Sequence, residues 1–280
     1  MTTSTLPVAA HQLATPLKRL RLSGMLDTLE VRTQQAIAEQ WSYAEFLTRL
    51  IQDEVERRSQ KQLDLRLRRS GLNTTKTLEA FDFTFNPSIS RQQVFDLATC
   101  AFIRQHRNLL LCGQTGVGKS PLAQAVAHEA ARQGCAVVFA TAHAMLLHIH
   151  GGRADGTYEQ RLARYTKPDL LVLDDFGLKP LPPSGPADLY DVIDARYERH
   201  SIVLTSNRAP NEWPELFANP LLANAALDRL AHRAIVVPIT GRSYRLAQRA
   251  DGKAVALFEP PSPAASAKPT EERRAAGGPA

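Results

Sequence analysis

From about residue 91 to 247 the chain alternates two kinds of apolar pattern. Short, wholly apolar runs near 108–112, 136–140, 169–174, 201–205 and 234–238 are separated by longer stretches in which apolar residues return every three or four positions. Such runs suit strands buried on both faces, and the longer period suits helices that cover them. The segment is therefore expected to be an α/β unit, a parallel sheet sandwiched by helices. Residues 1–71 carry only the helical period and predict a small all-helical N-terminal domain. Leu13, Leu17, Leu20, Met25 and Leu26 suggest one or two short helices. Ser42 and Glu45 then form a capping box, with Trp41 and Phe46 at the staple positions. The helix they open is expected to carry Phe46, Leu47, Leu50, Ile51 and Val55 on one face and to stop at Gly71. Residues 72–90 read as an extended connector in which Phe81, Phe83 and Phe85 alternate with polar residues along an apolar surface. Residues 248–280 are poor in apolar residues other than Ala and rich in Pro, Ser and Gly, and read as a disordered tail. Between Pro238 and that tail there is no room for a helical lid domain.

One junction between an apolar run and a helical period is built of glycines. Gly113, Gln114, Thr115, Gly116, Val117, Gly118, Lys119 and Ser120 fit the pattern G-x4-G-K-[ST] at every fixed position. The run before it predicts a strand, and Leu122, Ala123, Val126 and Ala127 after it predict a helix. That order lets consecutive N–H groups turn around a polyphosphate at a helix N-terminus. Lys119 is expected to reach the β- and γ-phosphates of ATP, and the Ser120 hydroxyl to ligate Mg²⁺. Pro121 follows and belongs to the same nucleotide-binding set.

A second run ends in Asp174 and Asp175. Strand alternation would point them to opposite sides. Asp174 is then placed to hold Mg²⁺ through water, and Asp175 to polarise the water that attacks the γ-phosphate. The run at 201–205 ends in Ser206 and Asn207, and Asn207 is a candidate γ-phosphate sensor.

Charge extends the picture beyond the nucleotide. The 280 residues hold 34 Lys+Arg against 28 Asp+Glu, a net charge of +6, which suits a polyanionic partner without requiring one. Arg57, Arg58, Lys61, Arg66, Arg68 and Arg69 crowd the second half of one predicted helix, opposed there only by Asp64. They either complement the helix dipole or contact a nucleic-acid backbone, and their number favours the second. Arg153, Arg161, Arg164 and Lys167 are explained equally by a mixed-charge surface helix or by a DNA contact. Three cysteines, Cys100, Cys112 and Cys135, include no C-x-x-C pair, and Cys112 and Cys135, in apolar stretches, read as reduced packing residues. No apolar run approaches eighteen residues and no signal-peptide core opens the chain, so the reading is soluble and cytoplasmic.

With these residues in view, the chain resembles the IstB/DnaC branch of AAA+ ATPases, and within it the IstB-like helper ATPases of insertion-sequence transposition. The likeness runs from about Leu17 to Arg245. It includes Leu20-Arg21-Leu22-Ser23-Gly24-Met25, Phe81-Asp82-Phe83, the glycine loop and Leu173-Asp174-Asp175-Phe176-Gly177. It continues through Arg196-Tyr197-Glu198-Arg199, Thr205-Ser206-Asn207, Leu227-Asp228-Arg229-Leu230 and Gly241-Arg242-Ser243-Tyr244-Arg245. The resemblance implies an ATP-dependent oligomer that binds and remodels double-stranded DNA and delivers it to a cognate transposase. It also implies that Arg229 is a finger reaching a neighbour's γ-phosphate and Arg245 a second sensor, although Arg229 beside Asp228 also suits a surface ion pair. A helicase loader similar to DnaC, and a nucleotide-gated DNA scaffold with little hydrolysis, are the alternatives. Two positions depart from the family pattern: Pro121 after the Lys-Ser pair, and Asp175 where many relatives place glutamate.

Overall fold

A computed structural model describes residues 8–244, with side chains from Gln12. The N-terminal part is three helices, α1 (Val8–Arg19), α2 (Ser23–Glu39) and α3 (Tyr43–Ser70). After the connector come α4 (Arg91–Ala98) and α5 (Ala101–Arg104), then β1 (Leu109–Cys112), α6 (Lys119–Arg132) and β2 (Val137–Thr141). These are followed by α7 (Ala142–Asp155), α8 (Tyr158–Thr166), β3 (Leu170–Phe176), α9 (Gly185–Arg196) and β4 (Ser201–Ser206). A 3₁₀ segment (Pro210–Leu216), α10 (Pro220–Ala231) and β5 (Ile235–Pro238) complete it.

The five strands form one parallel sheet in the order β2-β3-β4-β1-β5, so β4 separates the acid-bearing β3 from β1. Alternation along each strand divides the core into two layers. Leu109 and Leu111 pack with Leu122, Val126 and Ala130 of α6, whereas Leu110 and Cys112 pack with Met145, Leu189 and Ala226 from α7, α9 and α10. All three cysteines are free, and Cys100 and Cys112 are buried; burial pushes the Cys100 thiol up to about 12.

The helical N-terminal part differs from expectation in its faces. Ser42 Oγ accepts the Glu45 N–H as predicted, but the Glu45 carboxylate pairs with Arg49, whose guanidinium stacks on Trp41. The anticipated apolar face of α3 splits: Leu50 is buried, while Leu47, Ile51 and Val55 are about half exposed. What α3 buries toward α2 is a charge. Glu54 accepts the Gly24 N–H at 2.6 Å and pairs with Arg57 and Arg58, and the hydrogen bond from Arg57 leads in holding its carboxyl at about 2. A Cβ at Gly24 would lie 2.9 Å from the Glu54 Cα, so glycine is what lets the two helices touch there. Further along, Leu67 and Leu72 join the core beneath the sheet with Leu63 packed against it, so α3 is continuous with the body that follows. The connector is also less extended than predicted: residues 83–85 form a turn in which Asp82 Oδ1 accepts from Thr84. Phe81, Phe83 and Phe85 are all half-buried.

Candidate nucleotide-binding site

The glycine loop leaves β1 at the C-terminal edge of the sheet and enters α6 at Lys119. Three outside anchors fix its path. Gly113 N–H donates to the Ser206 carbonyl, extending the β1–β4 pairing by one residue. The buried Asn86 donates from Nδ2 to the carbonyls of Val117 (3.1 Å) and Thr240 (2.8 Å), tying the connector and the segment after β5 to the loop. Tyr244 N–H donates to the Gly116 carbonyl at 2.9 Å, and its ring meets Phe85 edge-on at 4.8 Å. Gly116 holds φ +87°, and a Cβ there would collide with Ser243 Oγ. Only glycine permits that backbone beside that neighbour.

Lys119 is buried, and its Nζ donates to the Gly113 and Gln114 carbonyls at 2.7 Å each. The ammonium thus lies within the loop's curve, where a phosphate oxygen can exchange for a carbonyl. Ser120 occupies the first turn of α6, and Pro121 follows it in that turn, where a missing N–H breaks no intrahelical bond.

The acids reach the same edge by a route that alternation did not foresee. Leu173 pairs with Leu204 and Phe176 with Ser206, so two residues of β3 face Thr205 alone. This is a β-bulge. Asp175 lies in it at φ +56° with its side chain exposed, while Asp174 is buried. The bulge, rather than the strand pleat, separates the two carboxylates. Thr205 Oγ1 holds it from both sides, donating to Asp174 Oδ1 (2.5 Å) and accepting the Asp175 N–H (3.1 Å). A left-handed non-glycine residue costs roughly 1–2 kcal/mol. Such strain is often stored where geometry is functional.

Strands lie about 4.8 Å apart, so the β3 acids stand roughly 10 Å from the loop, two spacings across the edge. That distance accommodates a phosphate with a hydrated divalent ion better than a direct side-chain contact. The donor set fits ATP with Mg²⁺: the backbone N–H groups of the glycine loop, one ammonium, and the oxygens of Ser120 and Asp174, a small hard set of the kind Mg²⁺ takes beside phosphate. Asn207 follows β4 at this edge and is exposed. The loop, Lys119, Ser120, Asp174, Asp175 and Asn207 are therefore brought together.

Other predicted residues lie elsewhere. Arg229, on α10, is at the opposite edge of the sheet. It pairs with Asp194 (3.1 Å) rather than Asp228, donates to the Ala225 carbonyl and sits 5.2 Å from the Tyr190 ring. Arg245 and the tail lie outside the described residues. On α3, Arg57 and Arg58 are engaged by Glu54, and Lys61, Arg68 and Arg69 are exposed. Arg66 is half-buried and in reach of Gln62. Between β2 and β3, Arg153 pairs with the buried Asp188 and stacks on Tyr158, and Arg161 pairs with Asp155, so both serve the fold. Sequence reasoning missed Asn86, whose Asn-Pro context reads as a turn, and the part played by Thr205. Among the described residues no helix is long and apolar enough to cross a membrane.

Residues 15–252 match the family described as IstB-like ATP binding protein. The chain belongs to that family. It is 42% identical over 234 residues to an insertion-sequence ATP-binding protein of Mycobacterium tuberculosis, covering 83% of this chain and 93% of the relative. It is 35% identical over 239 residues to the insertion sequence IS21 ATP-binding protein of Pseudomonas aeruginosa, covering 85% and 90%. Among solved structures, DnaI aligns with a TM-score of 0.51 at 20% identity, over 61% of this chain and 96% of that one. The replication initiator DnaA bound to AMPPCP and single-stranded DNA aligns at 0.50 and 22%, over 62% and 52%. These likenesses establish the P-loop AAA+ fold, and family membership establishes an ATP-binding protein of the insertion-sequence type.

Proposed function

We propose that this protein is an Mg²⁺-dependent ATPase that assembles on double-stranded DNA and delivers it to a cognate transposase. What supports this most is the family match over residues 15–252, with relatives named for insertion sequences. Lys119 and the loop N–H groups bind and orient the polyphosphate. Ser120 and Asp174 would hold Mg²⁺, which when bound would neutralise charge developing on the phosphate oxygens. Asp175 accepts a proton from the attacking water, and Asn207 orients it. Arg229, remote from its own loop, completes a neighbour's site, and Arg245 acts as a second sensor. Lys61, Arg66, Arg68 and Arg69 carry the DNA contact, with Arg57 and Arg58 contributing from their Glu54 pairs.

Pro121 favours a second reading, a nucleotide-gated scaffold with slow turnover, because proline withholds one N–H from the phosphates. The two readings separate in one experiment. DNA-stimulated ATP turnover, together with capture of a co-expressed insertion-sequence transposase only when ATP and DNA are present, is the expected result. Capture without turnover would select the scaffold, and capture of a replicative helicase in place of the transposase would select a helicase loader. The DNA surface is tested by reversing Arg66, Arg68 and Arg69 to Glu, which should weaken binding alike on all sequences and flatten its salt slope by about one unit per lost phosphate contact.

A further inference from the structure

The carbonyls of the glycine loop fall into two sets. Those of Gly113 and Gln114 accept from Lys119 Nζ, inside the loop's curve. Those of Gly116 and Val117 accept from outside it, from the Tyr244 N–H at 2.9 Å and from Asn86 Nδ2 at 3.1 Å. No peptide bond among the described residues is cis. In a trans peptide the carbonyl and the N–H of the next residue point to opposite sides. The first set therefore turns the N–H groups of Gln114 and Thr115 away from the ammonium. The second turns those of Val117 and Gly118 away from Tyr244 and Asn86, into the curve that Lys119 occupies.

Asn86 has the widest hold on this arrangement. It is 4% exposed, and its whole amide is engaged. Nδ2 has two hydrogens and two acceptors, the Val117 and Thr240 carbonyls, and Oδ1 accepts the Ser88 N–H at 3.1 Å. Ser88 doubles the grip on Thr240: its Oγ donates to the Thr240 carbonyl at 2.8 Å and accepts the Thr240 N–H at 3.2 Å. Fixing Thr240 fixes the course of the residues after it. Gly241, at φ +130°, runs so close that a Cβ would lie 2.9 Å from Asn86 Oδ1, and three residues on Tyr244 brings its N–H to Gly116. Asn86 thus acts on the loop twice, directly at Val117 and through residues 240–244 at Gly116.

We propose that Asn86 is a positioning residue of the phosphate loop, holding the Val117 and Gly118 N–H groups toward the phosphates before a nucleotide arrives. This role rests on the reading, given under Proposed function, that the loop binds the polyphosphate. A loop whose peptides can turn must order them on binding, and that cost is subtracted from affinity. Pro121 gives the two amides more weight in this chain, since the first turn of α6 has one N–H fewer to offer.

The test is pyrophosphate and ADP binding by full-length Asn86→Leu, which keeps most of the volume and removes the amide, and by Asn86→Ala. Glu54→Gln, in the helical N-terminal part, controls for lost stability alone. Calorimetry should show pyrophosphate and ADP weakened by the same factor, about tenfold, in both Asn86 variants and unchanged in Glu54→Gln. In ¹⁵N-labelled protein, saturating pyrophosphate should move the Val117 and Gly118 amide resonances in wild type and Glu54→Gln, and move them less in the Asn86 variants. Wild-type affinity in the Asn86 variants overturns the role. So does a loss confined to ADP, which would set Asn86 against the base instead. Should neither Asn86 variant fold, Tyr244 decides: Tyr244→Pro removes the donor to Gly116, Tyr244→Ala keeps it, and both lose the ring. Pyrophosphate bound about threefold more weakly by Tyr244→Pro than by Tyr244→Ala supports orientation by outside donors, and equal binding overturns it. Lys119→Ala separates this role from the reading beneath it. If that variant binds pyrophosphate as wild type does, the loop is not the phosphate site and the role of Asn86 falls with it. If it loses binding that the Asn86 variants keep, only the role of Asn86 falls.

Discussion

The two edges of one parallel sheet teach different lessons. At the C-terminal edge, eight consecutive residues supply most of the site, and their order alone dictates strand, loop and helix. At the N-terminal edge, His106, Arg196 with His200, and Arg229 with Arg233 come from three separate segments, and no local pattern ties these together. The first edge gathers N–H groups, an ammonium and two carboxylates, the set that the proposed function uses to bind and turn over ATP. The second gathers three arginines and three histidines with one carboxylate, Glu198. Under the proposed function, nucleotide chemistry at one edge and cations at the other would suit head-to-tail assembly, in which each copy completes the next.

Substitutions at the loop edge should have the largest effects. Lys119→Ala removes a cation that faces the phosphates and should weaken ATP binding about 10³-fold, the equivalent of two charge-assisted bonds; titration with a fluorescent nucleotide measures it. Asp175→Asn should keep that binding and lower turnover about 10²-fold, since only proton acceptance is lost. Turnover at the wild-type rate would reject Asp175 as the base and leave the bulge as a purely structural feature.

A further charge assembled from distant segments, Glu54 against Gly24, tests whether such features matter to stability as contiguous ones matter to binding. Glu54→Gln keeps a carbonyl for the Gly24 N–H but loses both arginine pairs, and should cost about 2 kcal/mol in denaturant unfolding near neutral pH. The Glu54 pKa is depressed from its ordinary 4.5 to about 2. Its contribution is therefore complete above about pH 4.5 and is lost as pH falls through 2. Wild type should consequently lose stability more steeply than the variant between those values. A residual slope should remain in the variant, because Glu79 is likewise held at about 2, chiefly by Arg132.

The smallest effect should be a gain. Pro121→Thr restores an N–H at the first turn of α6 and should tighten ADP and ATP binding about tenfold without comparably stabilising the empty protein. Equal or weaker binding would mean that Ser120 and the loop amides already satisfy the phosphates.

Most of the fold was legible because buried parallel strands are apolar throughout and the helices between them keep their period. All five predicted strands lie within about two residues of the observed ones. The loop and the two acids were legible because their chemistry is contiguous. The bulge was not, since an extra residue in β3 leaves no mark on the apolar pattern and is imposed by Thr205 from the next strand. The split face of α3 was missed because the apolar pattern does not reveal that its packing against α2 centres on the Glu54 carboxylate. The basic stretch looked unopposed because Glu54, one turn before it, takes Arg57 and Arg58 at helical spacing. Arg196 was visible only as part of a family motif; its burial depends on carbonyls from two separate segments, 165–169 and the start of β4.

The central claim, that a complete catalytic site needs both edges from two copies, is tested most directly by mixing two inactive variants. Arg229→Ala keeps an intact loop and Lys119→Ala keeps an intact arginine, so an equimolar mixture with DNA should form some complete sites. The account predicts ATP turnover in the mixture well above the sum of the two variants measured apart. Turnover no greater than that sum, with both variants shown to assemble, would contradict it.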